Sequence, residues 1–258
     1  MNADIVMGDI RAYRASSGDG GPHPGLILIH EIWGLVDHIR NVANRFAAAG
    51  YTVVAPDLFH GTSFDTTGAK ELAAELFNPA TRDAAQAKMR ALTAPIRMPE
   101  FAAVATAKLK RCVDYMLKDE QVGGDVAVVG FCFGGTYSFH LAANDPRIKA
   151  AVPFYGQPPG PEEIAHIGCP VLAFYGDQDA GLMATLPQLK DDMKKGGKRF
   201  DAVVYEGAGH AFFNDTNARM YRPRAAADSW EGTLAFLGDT LGPRPFNPPM
   251  PPTPFSRA

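Results

Sequence analysis

A cysteine flanked by glycines, Gly130-Phe131-Cys132-Phe133-Gly134, follows an apolar run at 126–129 and precedes a helical pattern opening at Gly135. A strand, a strained turn and a helix in that order form a nucleophile elbow, in which side chains at the flanking positions would collide with neighbouring backbone. The turn sets the thiol at a helix N-terminus, where unpaired N–H groups and the dipole favour thiolate over thiol. It also places the N–H of Phe133 to donate to a developing oxyanion. A thiol nucleophile needs a base to take and return protons, and the base needs an orienting acid. His210, in Gly207-Ala208-Gly209-His210, follows a strand pattern ending near Tyr205 and is the candidate base. Asp177 and Asp179 follow the preceding strand and compete for the acid's role. Asp179 is preferred because it lies further along the loop, while Asp177 suits a turn cap. Glu31 ends another strand pattern in His30-Glu31-Ile32-Trp33-Gly34, either as an ordinary acid or helix cap, or as a partner for the Cys132 thiol. Trp33 is read as a pocket wall or a core aromatic.

These residues must be held by a scaffold. Apolar strand runs at 25–30, 51–55, 126–129, 148–152, 171–175 and 200–205 alternate with helical patterns at 37–49, 71–77, 82–92, 101–117, 135–143, 186–195 and 219–237. Near-continuous apolar strands predict a mostly parallel, open α/β sheet with helices on both faces, and active sites on such sheets lie at the carboxyl ends of strands. One domain is expected over 1–241. Residues 242–258 are too rich in proline for helix or central strand and read as an extended tail.

Composition narrows the function. The 258 residues carry 28 acids and 25 bases, a formal net charge of -3, so no basic field is available for nucleic acid. Residues 1–13 lack an apolar signal stretch, and nothing approaches the roughly 20 apolar residues of a membrane helix. The expectation is a soluble cytoplasmic protein acting on a small molecule, with oligomeric state left open. Cys112, Cys132 and Cys169 form no CxxC pair, so neither a disulfide framework nor a metal site is expected. Cys112 and Cys169 read as small buried hydrophobes, and His23, His38, His60, His140 and His166 as surface or core residues.

Taken together, His30-Glu31-Ile32-Trp33-Gly34, Ala55-Pro56-Asp57-Leu58, Gly130-Phe-Cys-Phe-Gly-Gly135, Gly176-Asp-Gln-Asp179 and Gly207-Ala-Gly-His-Ala-Phe212 resemble the dienelactone hydrolase (carboxymethylenebutenolidase) family in order and spacing. The resemblance spans about 25 to 238 and implies the α/β-hydrolase fold. It implies a triad of Cys132, His210 and Asp179 that opens a lactone or ester, dienelactone giving maleylacetate, with oxyanion donors at Ile32 and Phe133. It further implies that Glu31 contacts the resting thiol until substrate displaces it, and that no metal or organic cofactor is needed. In the family an arginine four residues after the histidine helps hold a substrate carboxylate; Asn214 stands there, and an amide does not supply a guanidinium's paired donors. Asn214 remains a substrate-contact position, with Arg82, Arg90 or Arg97 left as the anion contact. Two other readings compete: a thioesterase or broad carboxylesterase on the same triad, and a non-catalytic binding protein of the same fold.

Overall fold

The computed structural model describes residues 2–18, 20–76 and 80–242. The proline-rich tail beyond 242 lies outside the described residues. Eight strands form one sheet in the order β1-β2-β4-β3-β5-β6-β7-β8. They are β1 Ala3–Met7, β2 Ile10–Ala15, β3 His23–Ile29, β4 Thr52–Pro56, β5 Val122–Phe131, β6 Ile148–Phe154, β7 Val171–Gly176 and β8 Phe200–Tyr205. Strand β2 runs antiparallel to both neighbours, and β3 through β8 pair in parallel. The parallel strands are those the sequence predicts, because their β-branched and aliphatic runs have no solvent side to interrupt them. Leu26 to Ile29 and Val126 to Val129 are wholly buried.

The β1–β2 hairpin is absent from the sequence reading. Strand β1 is exposed or half-buried throughout and β2 buries only Ile10, Ala12 and Ala15, with charges between them, as an edge with one wet face requires. A two-residue turn joins them, with Gly8 at a φ of 67° in its first position.

Helices α1 Asp37–Ala48, α2 Thr66–Leu76, α3 Arg82–Thr93, α4 Pro99–Met116, α5 Phe133–Asn144, α6 Pro161–His166 and α7 Ala180–Lys195 lie in the connections between strands, and α8 Pro223–Leu241 follows the last strand. The short α6 has no counterpart in the sequence reading. Helices α1 and α8 meet on one face through Phe46 and Trp230, whose ring centroids are 4.5 Å apart. Helices α4 and α5 cover the other, with Phe101 and Tyr137 in edge contact at 6.2 Å.

The chain runs from β3 outward to β4, then returns to place β5 on the opposite side of β3. The crevice between the carboxyl ends of β3 and β5 is therefore the switch point, where connections diverge and leave room for a ligand. Both glycine-bounded motifs, 30–34 and 130–135, begin there.

Candidate active site

Cys132 follows β5 and caps α5, with a φ of 56° and a ψ of -112°. A Cβ on Gly130 would strike the Gly134 carbonyl, and one on Gly134 would strike the Ile29 carbonyl. The glycines thus let the opening turn of α5 lie directly against β3 and β5. The Cys132 N–H donates to the Phe154 carbonyl at 3.0 Å, and its carbonyl accepts from Thr136 N–H at 3.1 Å. The backbone is pinned on both sides while the side chain stands in the crevice.

The three non-glycine residues with left-handed φ among the described residues are Cys132, Tyr155 and Ala211, and all sit here. Such conformations cost about 1–3 kcal/mol each and persist where surrounding packing imposes them. Tyr155 begins the loop after β6, and Ala211 follows His210.

His210 Nδ1 lies 2.6 Å from Asp179 Oδ2, and its Nε2 lies 3.0 Å from Cys132 Sγ. Burial disfavours charge on the imidazole. The Cys132 sulfur, with hydrogen bonds to Asp179 and Cys132, outweighs that and holds His210 well above the usual histidine range. Its ring still keeps 41% of its side-chain surface accessible, on the cleft side.

Asp179 caps α7, where Oδ1 accepts from Leu182 N–H at 3.5 Å. Asp177 plays a different part, since its Oδ1 accepts from Gly207 N–H at 2.9 Å and ties the loop after β7 to the loop that carries His210. Gln178 N–H donates to the Ala208 carbonyl at 2.9 Å and closes the same joint. The other two thiols contrast with Cys132: burial pushes Cys112 up to about 12 and Cys169 up to about 11.

The triad borders a cleft of about 680 Å³. Met89, Ile96, Phe133, Tyr137 and Leu182 give it apolar walls, and Arg97 stands at its edge on a short 3-10 turn, Pro95–Arg97. Arg90 is exposed on α3 outside this lining, and the Arg82 side chain lies outside the described residues. Ile32 and Phe133 both line the cleft, and neither backbone N–H donates to a backbone carbonyl among the described residues.

Glu31, Trp33 and Asn214 are placed differently from the sequence reading. Glu31 is 2% exposed, and its carboxylate is held by Asn214 and Tyr155 rather than by Cys132. Asn214 is 5% exposed and bonds inward to Glu31 at 2.6 Å instead of facing the cleft. Trp33 and Asn214 line a separate cavity of about 620 Å³ that shares no lining residue with the Cys132 cleft. An amide is too short to reach past the carboxylate it binds, and the loop at 30–34 turns Trp33 away from the crevice.

Sequence reasoning missed three contributors. Tyr155 packs its ring 5.1 Å from that of His210 and points its hydroxyl at Glu31. His30, wholly buried, joins two loops: Nδ1 donates to the Glu31 carbonyl at 2.6 Å and Nε2 accepts from Leu58 N–H at 3.1 Å. Burial holds its pKa below the usual range, consistent with this neutral tautomer. His140, read as a bland residue, lines the cleft and bonds Glu163. Only the adjacency of Tyr155 to a strand end offered a signal. Among the described residues, no three His, Cys, Asp or Glu side chains cluster to hold a metal ion. No helix among them is long and apolar enough to cross a membrane.

Sheet order, elbow and the convergence of loops after β5, β7 and β8 define an α/β-hydrolase. The chain belongs to the dienelactone hydrolase family, whose model matches residues 10–241, and it is a hydrolase. A relative named "Putative carboxymethylenebutenolidase" from Methylorubrum extorquens is 32% identical over 237 residues, 87% of this chain and 75% of that one. The crystal structure of a "Putative Dienelactone Hydrolase" from Klebsiella pneumoniae superposes with a TM-score of 0.77 at 25% identity, covering 92% of this chain and 98% of that one. A dienelactone hydrolase-like promiscuous phosphotriesterase from metagenomic libraries shares the fold, with a TM-score of 0.67 at 22% identity over 93% of this chain and 97% of that one.

Proposed function

We propose that the protein hydrolyses small carboxylic esters or lactones by acyl transfer through Cys132, His210 and Asp179. The observation that carries this reading is the continuous chain from sulfur to carboxylate, 3.0 Å from Cys132 Sγ to His210 Nε2 and 2.6 Å from His210 Nδ1 to Asp179. Asp179 fixes the imidazole with Nε2 toward sulfur, so His210 takes the thiol proton as Sγ adds to the carbonyl. The carbonyl oxygen gains the charge and is bound by the N–H groups of Ile32 and Phe133. The carbon–oxygen bond of the leaving group then breaks, His210 returns the proton to the departing alkoxide, and a thioester remains on Cys132. In a lactone that alkoxide stays tethered to the acyl group. Water, deprotonated by His210, attacks the thioester; the tetrahedral intermediate collapses, and the thiolate leaves with the proton on His210.

The apolar walls with Arg97 at the edge suit a compact acyl group bearing an anionic substituent, a guanidinium being a strong carboxylate ligand. Parallel assays with p-nitrophenyl acetate and dienelactone, using Cys132→Ala as control, test the reaction. Loss of turnover on every ester the wild type cleaves supports it, and unchanged turnover in Cys132→Ala overturns it.

A further inference from the structure

Glu31 is a buried carboxylate on the loop after β3, with no cation hydrogen-bonded to it among the described residues. A charge removed from water needs every donor it can find. Here Asn214 Nδ2 donates to Oε2 at 2.6 Å and the Tyr155 hydroxyl donates to Oε1 at the long distance of 3.4 Å. Burial, with the charges of Glu31 and Cys132, pushes Tyr155 well above its usual range, so the phenol keeps its proton and remains a donor. The Glu31 carbonyl is also held, accepting from His30 Nδ1 at 2.6 Å and from Gly34 N–H at 3.2 Å.

Asn214 cannot present its other face. Its Oδ1 accepts from Thr216 N–H at 3.0 Å and from Thr216 Oγ1 at 2.6 Å, so the amide orientation is set by the network and Nδ2 must meet Glu31. The next residue anchors the same loop to α1, through Asp215 Oδ1 and His38 Nδ1 at 3.3 Å. Each oxygen of Glu31 is thus engaged by a neighbour other than Cys132, Oε2 closely by Asn214 and Oε1 more loosely by Tyr155.

We infer that Asn214 is a positioning residue which, with Tyr155, clamps the Glu31 carboxyl away from the sulfur and leaves His210 as the sole proton acceptor of Cys132. This rests on Cys132 as the nucleophile. It departs from the expectation, drawn from resemblance, that the acid contacts the resting thiol. Loss of the amide frees one carboxylate oxygen, which can then turn toward Sγ and hold the proton on sulfur.

The test is the pH dependence of Cys132 alkylation by iodoacetamide in the full chain, with the modified cysteine located by peptide mass. Asn214→Ala is expected to slow alkylation near neutral pH about tenfold and move its midpoint upward, the size of a lost hydrogen bond to a charged group. Asn214→Ala combined with Glu31→Gln should recover most of the wild-type rate, since an amide brings no charge to the sulfur. Tyr155→Phe, which keeps the ring and endangers folding least, should shift the midpoint in the same direction by about two- to threefold in rate. A profile of Asn214→Ala or Tyr155→Phe superimposed on wild type overturns the clamp, as does a double variant as slow as Asn214→Ala. Retained turnover in Cys132→Ala would instead remove the proposed chemistry while leaving the alkylation profiles readable, so the two failures are distinct.

Discussion

Two histidines that each pair with a carboxylate line the same cleft, and only one of them touches a nucleophile. His210 and Asp179 meet at 2.6 Å, and His140 and Glu163 at 2.5 Å. The first pair hangs on loops at the carboxyl edge of the sheet, beside the left-handed Ala211, and its second ring nitrogen reaches Cys132 Sγ at 3.0 Å. The second joins the interior of α5 to α6, with ordinary helical backbone and, among the described residues, no thiol bonded to its other nitrogen. A polarised imidazole is thus a common structural device. It becomes a base only where strained backbone brings a nucleophile within hydrogen-bonding reach.

The comparison predicts unequal losses. Cys132→Ala should lower kcat by about a thousandfold or more, with the residual rate due to binding and the oxyanion site. His210→Ala should fall nearly as far, whereas His140→Ala should stay within about tenfold of wild type in ester assays, because removing a unit's members is not additive and His140 is outside it. Comparable losses for both histidines would erase the distinction. Asp179→Asn should cost about a hundredfold or more by releasing the ring orientation, with thermal melts checking the α7 cap. Arg97→Ala should raise KM for an ester carrying a distal carboxylate about tenfold while sparing its neutral analogue, read as a ratio of KM values.

The smallest effect is on stability. Burial pushes the Glu163 carboxyl up, but the His140 hydrogen bond prevails and the net shift is downward. A depressed carboxyl contributes stability that is present above its unfolded pKa and lost as pH falls through the folded value. For His210 the net shift is upward, so its contribution is full below the unfolded pKa near about 6.5 and is lost as pH rises through the folded value. The melting-temperature gap between wild type and His140→Ala should therefore narrow on acidification below about pH 4. The gap for His210→Ala should narrow on alkalinisation instead. Gaps that move together would contradict the assignment of the two pairs.

Much of this was legible because parallel strands and the elbow leave local marks: unbroken apolar runs, and glycines where a side chain cannot fit. The order Cys132, Asp179, His210 could be read because each follows a recognisable strand. The β1–β2 hairpin was not, since a wet edge interrupts its apolar pattern with charges. Nor were the partners of Glu31, because a contact between residues 31 and 214 depends on how two distant loops meet. Trp33 shows the same limit: its type suggested a pocket wall, but the turn at Gly34, with a φ of 78°, accompanies a different cavity. Asp179 lies 2.6 Å from His210 Nδ1 and Asp177 joins two loops through Gly207 N–H, a role that could not be read from spacing alone.

Rapid quench of the full chain with excess p-nitrophenyl acetate, followed by intact and peptide mass measurement, tests the central claim most directly. The account predicts an acetyl group on the peptide carrying Cys132, formed within the burst of p-nitrophenol and absent in His210→Ala on the same time scale. A burst with that peptide unmodified, or acetyl carried by another side chain at the rate of turnover, would contradict it.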